Sequence, residues 1–268
     1  MFNKENFMKQ KKSYAVVTGA SSGIGAEFAR QLAKEGYPLV LTARRLELLE
    51  ELAAPMRAQG VKVRTIAADL EKEEECYRLM QLLEKEKIGV FINNAGFGDC
   101  GFFLDNHVEK ELAMIDVNVR AMHLLTKLVL RKMKKQKGGY LLNVASSAGL
   151  IPAGPYMATY YATKAYVASL TRAIARELRE AHSRIYIGAL CPGPVDTQFN
   201  ETAGVEFALP GISAEACVSY AITQMKRKKV VIIPTTRMKF VITCGRFLPQ
   251  DLYILLTGRQ QKKKIGRA

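Results

Sequence analysis

The sequence is poor in the residues that build metal sites and covalent staples. Its five cysteines, Cys76, Cys100, Cys191, Cys217 and Cys244, are odd in number and widely scattered. They form no CxxC pair, and the three histidines do not cluster with them, which argues against a zinc site and a disulfide framework. A reduced, cytoplasmic setting fits this usage. An apolar signal sequence is also lacking: Lys4, Lys9, Lys11 and Lys12 make the start polar and basic, and it leads straight into a strand. Long apolar runs are missing as well. The C-terminal stretch Phe240 to Leu256 is broken by Arg246, Pro249 and Asp251 and reads as a poor membrane span. No linker, repeat or low-complexity tract divides the chain. Residues 1–268 are therefore expected to form a single domain, large enough to bury roughly three quarters of its unfolded surface.

Positive charge, by contrast, is abundant. The net charge is +15, much of it in the runs Arg131 to Lys137, Lys226 to Lys229 and Lys262 to Lys264. No aromatic side chains are interleaved with these cations, so bases would find no stacking platform and a nucleic-acid partner is not expected. Solvated helix ends whose cations complement the helix dipole are the first reading of this excess. Attraction to an anionic membrane surface or an anionic substrate is the second reading.

Short, nearly all-apolar runs alternate with longer helical periods. Tyr14–Thr18, Leu39–Thr42, Val61–Ala67, Val90–Asn93, Tyr140–Val144, Ile185–Leu190 and Val230–Ile233 read as strands buried on both faces. Helices are expected at Ile24–Glu35, Leu46–Gln59, Glu73–Lys85, His107–Gln136, Thr159–Ala181 and Ala214–Gln224. Gly36 and Gly60 stand where left-handed C-caps are wanted, and Ser213 where an N-cap is wanted. Seven strands alternating with helices predict an α/β fold, a doubly wound Rossmann-type parallel sheet with helices on both faces. Residues 194–212 show no clear period and read as a substrate loop. Residues 236–268 read as a hydrophobic extension with a basic tail.

Thr18 through Gly25 (TGASSGIG) join the first strand to the first helix. Gly19, Gly23 and Gly25 allow a tight turn and close approach to a pyrophosphate, which would meet the helix N–H groups beside Ser21, Ser22 and Ile24. The bland alternative is a glycine-rich turn that binds nothing. An NAD site would place an acidic residue at the end of the second strand, but Arg44 and Arg45 stand there. A guanidinium pair suits the 2′-phosphate of NADP(H), unless these arginines only solvate a helix end. Asp69, followed by Leu70, closes the third strand and can accept from an adenine amine or cap the next helix. Asn93, Asn94, Ala95 and Gly96 end the fourth strand, where small residues admit a ribose.

Tyr160 and Lys164 share one helical face. A free phenol has a pKa of about 10, and a neighbouring ammonium plus an oxidised nicotinamide would favour the phenolate. The lysine can also bind the nicotinamide ribose. Tyr156 and Tyr161 are rival phenols without a lysine at i+4. Ser146 and Ser147, after the fifth strand, offer hydroxyls to polarise a carbonyl. Asn118 interrupts a helical stretch with a residue of poor helix propensity, and its carbonyl can anchor a water relaying protons toward Lys164.

These motifs, in this order, resemble the short-chain dehydrogenase/reductase family over nearly the whole chain: TGASSGIG, NNAG, Asn118, the serine pair, YxxxK, and PGPVDT at Pro192–Thr197. The resemblance implies an Asn-Ser-Tyr-Lys tetrad at Asn118, Ser146, Tyr160 and Lys164. It places Pro192, Gly193, Val195 and Thr197 at the nicotinamide end, with Ala95 and Gly96 at the ribose. The family's usual serine-to-tyrosine spacing selects Ser147, whereas alignment to the strand end selects Ser146. Strand register is fixed more strictly than loop length, so Ser146 is chosen. The expected activity is interconversion of an apolar ketone or aldehyde and its alcohol by hydride transfer. Phe199, Phe207, Leu209 and Phe247 are expected to line the substrate pocket. A nonredox relative and an idle NADP-binding sensor or scaffold are the rivals. The resemblance also implies a homodimer or homotetramer through the fourth and fifth helices.

Overall fold

A computed structural model describes residues 13–197 and 211–265. Six long strands form from the expected apolar runs: β1 (Tyr14–Thr18), β2 (Leu39–Ala43), β3 (Val63–Ala67), β4 (Ile88–Asn93), β5 (Gly139–Val144) and β6 (Ile185–Leu190). With the two-residue β9 (Val231–Ile232) they make a parallel seven-stranded sheet in the order β3-β2-β1-β4-β5-β6-β9. Because β2 and β3 lie on one side of β1 and β4 on the other, the winding reverses between β1 and β4. A crevice opens there at the carboxyl ends of the strands, the usual ligand position in such sheets.

The alternation of side chains along each strand feeds two cores. Ala15 and Val17 pack with α1 (Gly23–Lys34) and α2 (Leu46–Ala58), whereas Tyr14 and Val16 face the opposite layer. That second layer is built by α3 (Glu73–Leu82), the segment Val108–Lys135, and α6 (Ala158–Glu180). Helices thus cover both faces of a Rossmann-type α/β sheet. Burying the sheet on both sides also explains why its strands are almost wholly apolar.

Local rules account for several boundaries. Gly36 and Gly60 adopt φ of +87° and +82° at the ends of α1 and α2. The Val61 N–H closes α2 by bonding Met56 O at 3.1 Å, so β3 begins at Val63 rather than Val61. Helix α3 stops at Leu82, short of Lys85. The expected long helix is not uniform: α4 (Val108–Ile115) and α5 (Met122–Lys135) flank a π-helical turn, Asp116–Ala121, that contains Asn118. Such turns absorb one extra residue in a helix and often mark functional positions. Helix α5 ends in Lys132, Lys134 and Lys135, as the dipole reading of that cationic run requires.

After β6, β7 (Val195–Asp196) pairs with β8 (Ile212–Ser213). The middle of the substrate loop, 198–210, lies outside the described residues, and with it Phe199, Phe207 and Leu209. Helix α7 (Ala214–Lys226) is capped by Ser213, whose hydroxyl accepts from Ala216 N at 3.1 Å. The C-terminal extension folds into α8 (Thr236–Gly245) and α9 (Gln250–Ile265), a helical pair the apolar pattern did not reveal. No helix among the described residues is long and apolar enough to cross a membrane.

Candidate active site

A cavity of about 840 Å³ opens over the carboxyl edge of the sheet. Every expected catalytic and cofactor-binding residue lines it except Gly25 and Asn118, which contact lining residues from behind. At one end, Gly19 and Gly23 take φ of +61° and +54°, so the chain turns sharply into α1. A Cβ at Gly25 would stand 2.2 Å from Gly19 O and 2.5 Å from Asn94 Nδ2, so no side chain fits there. The turn is held from β4: Thr18 Oγ1 accepts from Asn94 N and Ala95 N at 2.9 and 3.0 Å, and Asn94 Nδ2 donates to Thr18 O and Gly19 O. The Ser22 side chain makes no capping bond. The first N–H groups of α1 therefore have neither an intrahelical partner nor a side-chain cap, as a phosphate cradle requires.

Arg44 and Arg45 follow β2 on the same wall, exposed, with Asp69 and Leu70 beside them at the end of β3. Asp69 Oδ1 accepts from Glu71 N at 3.4 Å, so its carboxylate steadies the turn it occupies rather than capping α3. The residues at this end fit NADP(H): glycine backbone and helix N–H groups for the pyrophosphate, guanidinium forks for a 2′-phosphate, and small residues beside the sheet.

At the other end, Ser146 leaves β5 in an extended conformation and opens a short 3-10 turn, Ser147–Leu150, with Ser146 Oγ accepting from Ala148 N at 3.2 Å. The Ser146 side chain is close enough to the Tyr160 phenol to favour its ionised form, against the effect of burial. Ser147 N bonds Pro192 O at 2.8 Å, tying this turn to the strand end after β6. Lys164, 4% exposed, lies one turn of α6 beyond Tyr160, its Nζ 5.8 Å from the Tyr160 ring centroid and 3.1 Å from Val144 O. Gly96 makes room for that ammonium: a Cβ there would lie 3.2 Å from Lys164 Nζ.

The electrostatics correct one expectation. Burial pushes the Tyr160 phenol up to about 12, with the Ser146 side chain opposing, and pushes the Lys164 ammonium down to about 8. Desolvation of each group thus outweighs the lowering expected for the phenol from its neighbour. Among rival phenols, Tyr161 is buried and takes a 2.5 Å hydrogen bond from Gln261 Nε2 on α9, and Tyr156 sits outside the cavity wall at φ +67°.

The Asn118 side chain has a structural part. Its Oδ1 accepts from Phe97 N at 3.1 Å, and its Nδ2 donates to Phe97 O at 2.8 Å and Thr163 Oγ1 at 3.2 Å. The side-chain amide therefore clamps the NNAG turn to α6. Asn93 and Asn143 are structural too. They join Thr126 and Thr171 in a buried network that fixes β4 and β5 to the helices beneath.

The pocket expectation also needs correction. Phe247 is 87% exposed on the turn before α9 and lines nothing. The far wall comes instead from Ile151 and Met157 before α6, and from Met238, Val241, Tyr253 and Leu256 on α8 and α9. Their signal was obscured because Arg246 and Pro249 split the apolar pattern between two short helices.

A doubly wound sheet with a glycine cradle at its switch point, a buried tyrosine–lysine pair and a serine at the next strand end defines a nucleotide-dependent oxidoreductase scaffold. The short chain dehydrogenase family model matches residues 13–206, and the protein belongs to the short-chain dehydrogenase/reductase family. It is 37% identical over 183 residues to a very-long-chain 3-oxoacyl-CoA reductase of Laccaria bicolor, covering 66% of this chain and 54% of the relative. It is 36% identical over 192 residues to dehydrogenase/reductase SDR family member 11 of Bos taurus, covering 69% and 75%. The chain spans between about half and two thirds of the length of the first curated relatives it matches. A short-chain dehydrogenase from Sphingobium yanoikuyae in complex with NADPH superposes with a TM-score of 0.79 at 32% identity, covering 87% of this chain and 93% of that one.

Proposed function

We propose that this protein is an NADP(H)-dependent carbonyl reductase, interconverting an apolar ketone or aldehyde and the corresponding alcohol within a single domain. The observation that carries the reading is Ser146 and Tyr160 together on the cavity wall, with the buried Lys164 beside the phenol and the glycine cradle at the opposite end. When bound, the cofactor supplies or accepts the hydride. Gly19, Ser21, Ser22, Gly23 and Ile24 cradle its pyrophosphate, and Arg44 and Arg45 take the 2′-phosphate. Asp69, Leu70, Asn94, Ala95 and Gly96 border the adenosine and ribose, with Pro192, Gly193, Val195 and Thr197 toward the reacting end.

Ser146 orients the substrate oxygen and Tyr160 transfers a proton to it in reduction, the reverse in oxidation. A phenol held near 12 remains protonated at neutral pH, which suits the donor role. Lys164 supplies positive charge beside that phenol, and Asn118 acts as a positioning residue through Phe97 and Thr163. The influence of the Ser146 side chain on the phenol supports Ser146 over Ser147.

The relatives point to acyl thioesters or steroids as substrate classes, since these include 3-oxoacyl-CoA reductases and 17-beta-hydroxysteroid dehydrogenases. Exposed apolar residues at Phe103, Leu104, Val108 and Leu112 support a homodimer or tetramer built along α4, α5 and α6. A cytoplasmic setting and weak peripheral contact with anionic membrane through Phe240, Arg246 and Phe247 complete the proposal. The test follows NADPH absorbance with a panel of ketones. Native protein should consume NADPH, whereas Tyr160→Phe should bind NADPH yet lose about 10²-fold or more in turnover. Tight cofactor binding with no carbonyl reduced would replace the enzyme with a sensor.

A further inference from the structure

The tetrad and the cradle leave two cations on the cavity wall unassigned. Arg237 lies in the first turn of α8 and Arg259 on α9, both exposed and both lining the cavity. Neither makes an ion pair or side-chain hydrogen bond among the described residues. They stand apart from the arginines after β2. Helix α8 lies against the Ser147–Leu150 turn, Met238 faces Gly193, and Gln261 holds Tyr161, so both helices border the Ser146–Tyr160 end.

The surroundings sharpen the asymmetry. Asp69, at the distant end of β3, is the only carboxylate on the wall among the described residues. After Glu215 the sequence contains a single acidic residue, Asp251. That residue occupies the first turn of α9, where the helix dipole favours it. The same cavity wall also carries apolar side chains, Ile151, Met157, Val241 and Leu256. A neutral substrate would leave both forks unanswered beside that surface. An anionic group would take them in the geometry that guanidinium groups favour.

We propose that this end of the cavity is a subsite for an anionic amphiphile, whose apolar body lies along Ile151, Met157, Val241 and Leu256 while a phosphate or carboxylate remote from the reacting carbonyl is held by Arg237 and Arg259. The proposal deepens the carbonyl-reductase reading and rests on it for the substrate's orientation, but not for binding itself.

A matched pair of substrates tests it: one 3-oxoacyl chain presented as its coenzyme A thioester, which is anionic, and as its N-acetylcysteamine thioester, which is neutral. The native protein should prefer the anionic member in kcat/KM by about tenfold or more at low salt, and the preference should shrink as salt rises. In the Arg237→Gln/Arg259→Gln double variant the preference should fall to about twofold or less. Equal use of both thioesters by the native protein, or a preference that survives in the double variant, overturns the subsite. So does a loss of NADPH affinity in the variant that matches the loss in kcat/KM, because the arginines would then serve the cofactor. If neither thioester turns over, calorimetric titration of a saturated acyl-CoA into protein with NADP⁺ separates the two ideas. Binding that disappears in the double variant keeps the subsite and rejects carbonyl reduction; absence of binding rejects the subsite.

Discussion

The two walls of the cavity are made in different ways. The sheet-edge wall is backbone: strand ends, a glycine turn without room for a methyl group, and Thr18, Asn94 and Asn118 spending their polar atoms on neighbouring main chain. The C-terminal wall is side chains on two short helices, tied down by Gln261 to Tyr161, by Tyr253 over Gly245 and by Gly258 against Pro155. Several of its apolar residues stay half exposed, Val241 and Leu256 among them. In the proposed reading, the cofactor rests on geometry fixed largely by backbone, and substrate choice falls to the side chains of the second wall, where changes cost less.

Gly25→Val should break the first wall most severely. Its side chain would overlap Gly19 O, with an expected cost of about 1–3 kcal/mol in stability and loss of measurable NADPH binding. Near-native cofactor affinity in a folded variant would show that the turn yields more than its hydrogen bonds suggest.

Lys164 tests the energetic cost of that rigid wall. Its folded pKa lies below the unfolded value, so the unfolded chain binds the extra proton between about pH 8 and 10.5, and stability rises with pH across that window. Relative to Lys164→Met, which has no proton to lose there, the native protein should gain up to about 3 kcal/mol between those pH values. Denaturant midpoints at each pH measure the gap, and a constant gap would mean the ammonium is well solvated.

The Arg44→Ala/Arg45→Ala pair should reduce NADPH affinity by about 10- to 100-fold while changing NADH affinity little, corresponding to loss of one or two charged hydrogen bonds. Equal effects on both cofactors would remove the 2′-phosphate from the argument. The smallest effect belongs to the second wall. Gln261→Leu should lower stability by about 1 kcal/mol and raise KM more than it lowers kcat, since it frees α9 without touching Ser146 or Tyr160. A kcat loss alone would place Gln261 nearer the chemistry than its bond to Tyr161 implies.

The sheet-edge wall was readable because its signals are local. A strand followed by a glycine turn, a basic pair at the next strand end, and a tyrosine and lysine one helical turn apart each lie within a short stretch of chain. Their roles follow from backbone conformation and helical spacing. Asn118 was visible as an oddity in a helix, yet its partner Phe97 and the π turn around it were not. The extra residue in that turn changes no composition and leaves the apolar period almost intact.

Residues near one another in sequence fixed the parallel α/β order, the cradle and the tyrosine–lysine pair, because strand and helix periods act over a few positions. Only the folded chain decided that burial raises the Tyr160 phenol and depresses Lys164, that Asn118 clamps a loop, and that two C-terminal helices roof the cavity with unpaired arginines. Those outcomes depend on desolvation and on contacts between segments far apart in the chain, and no local pattern encodes them.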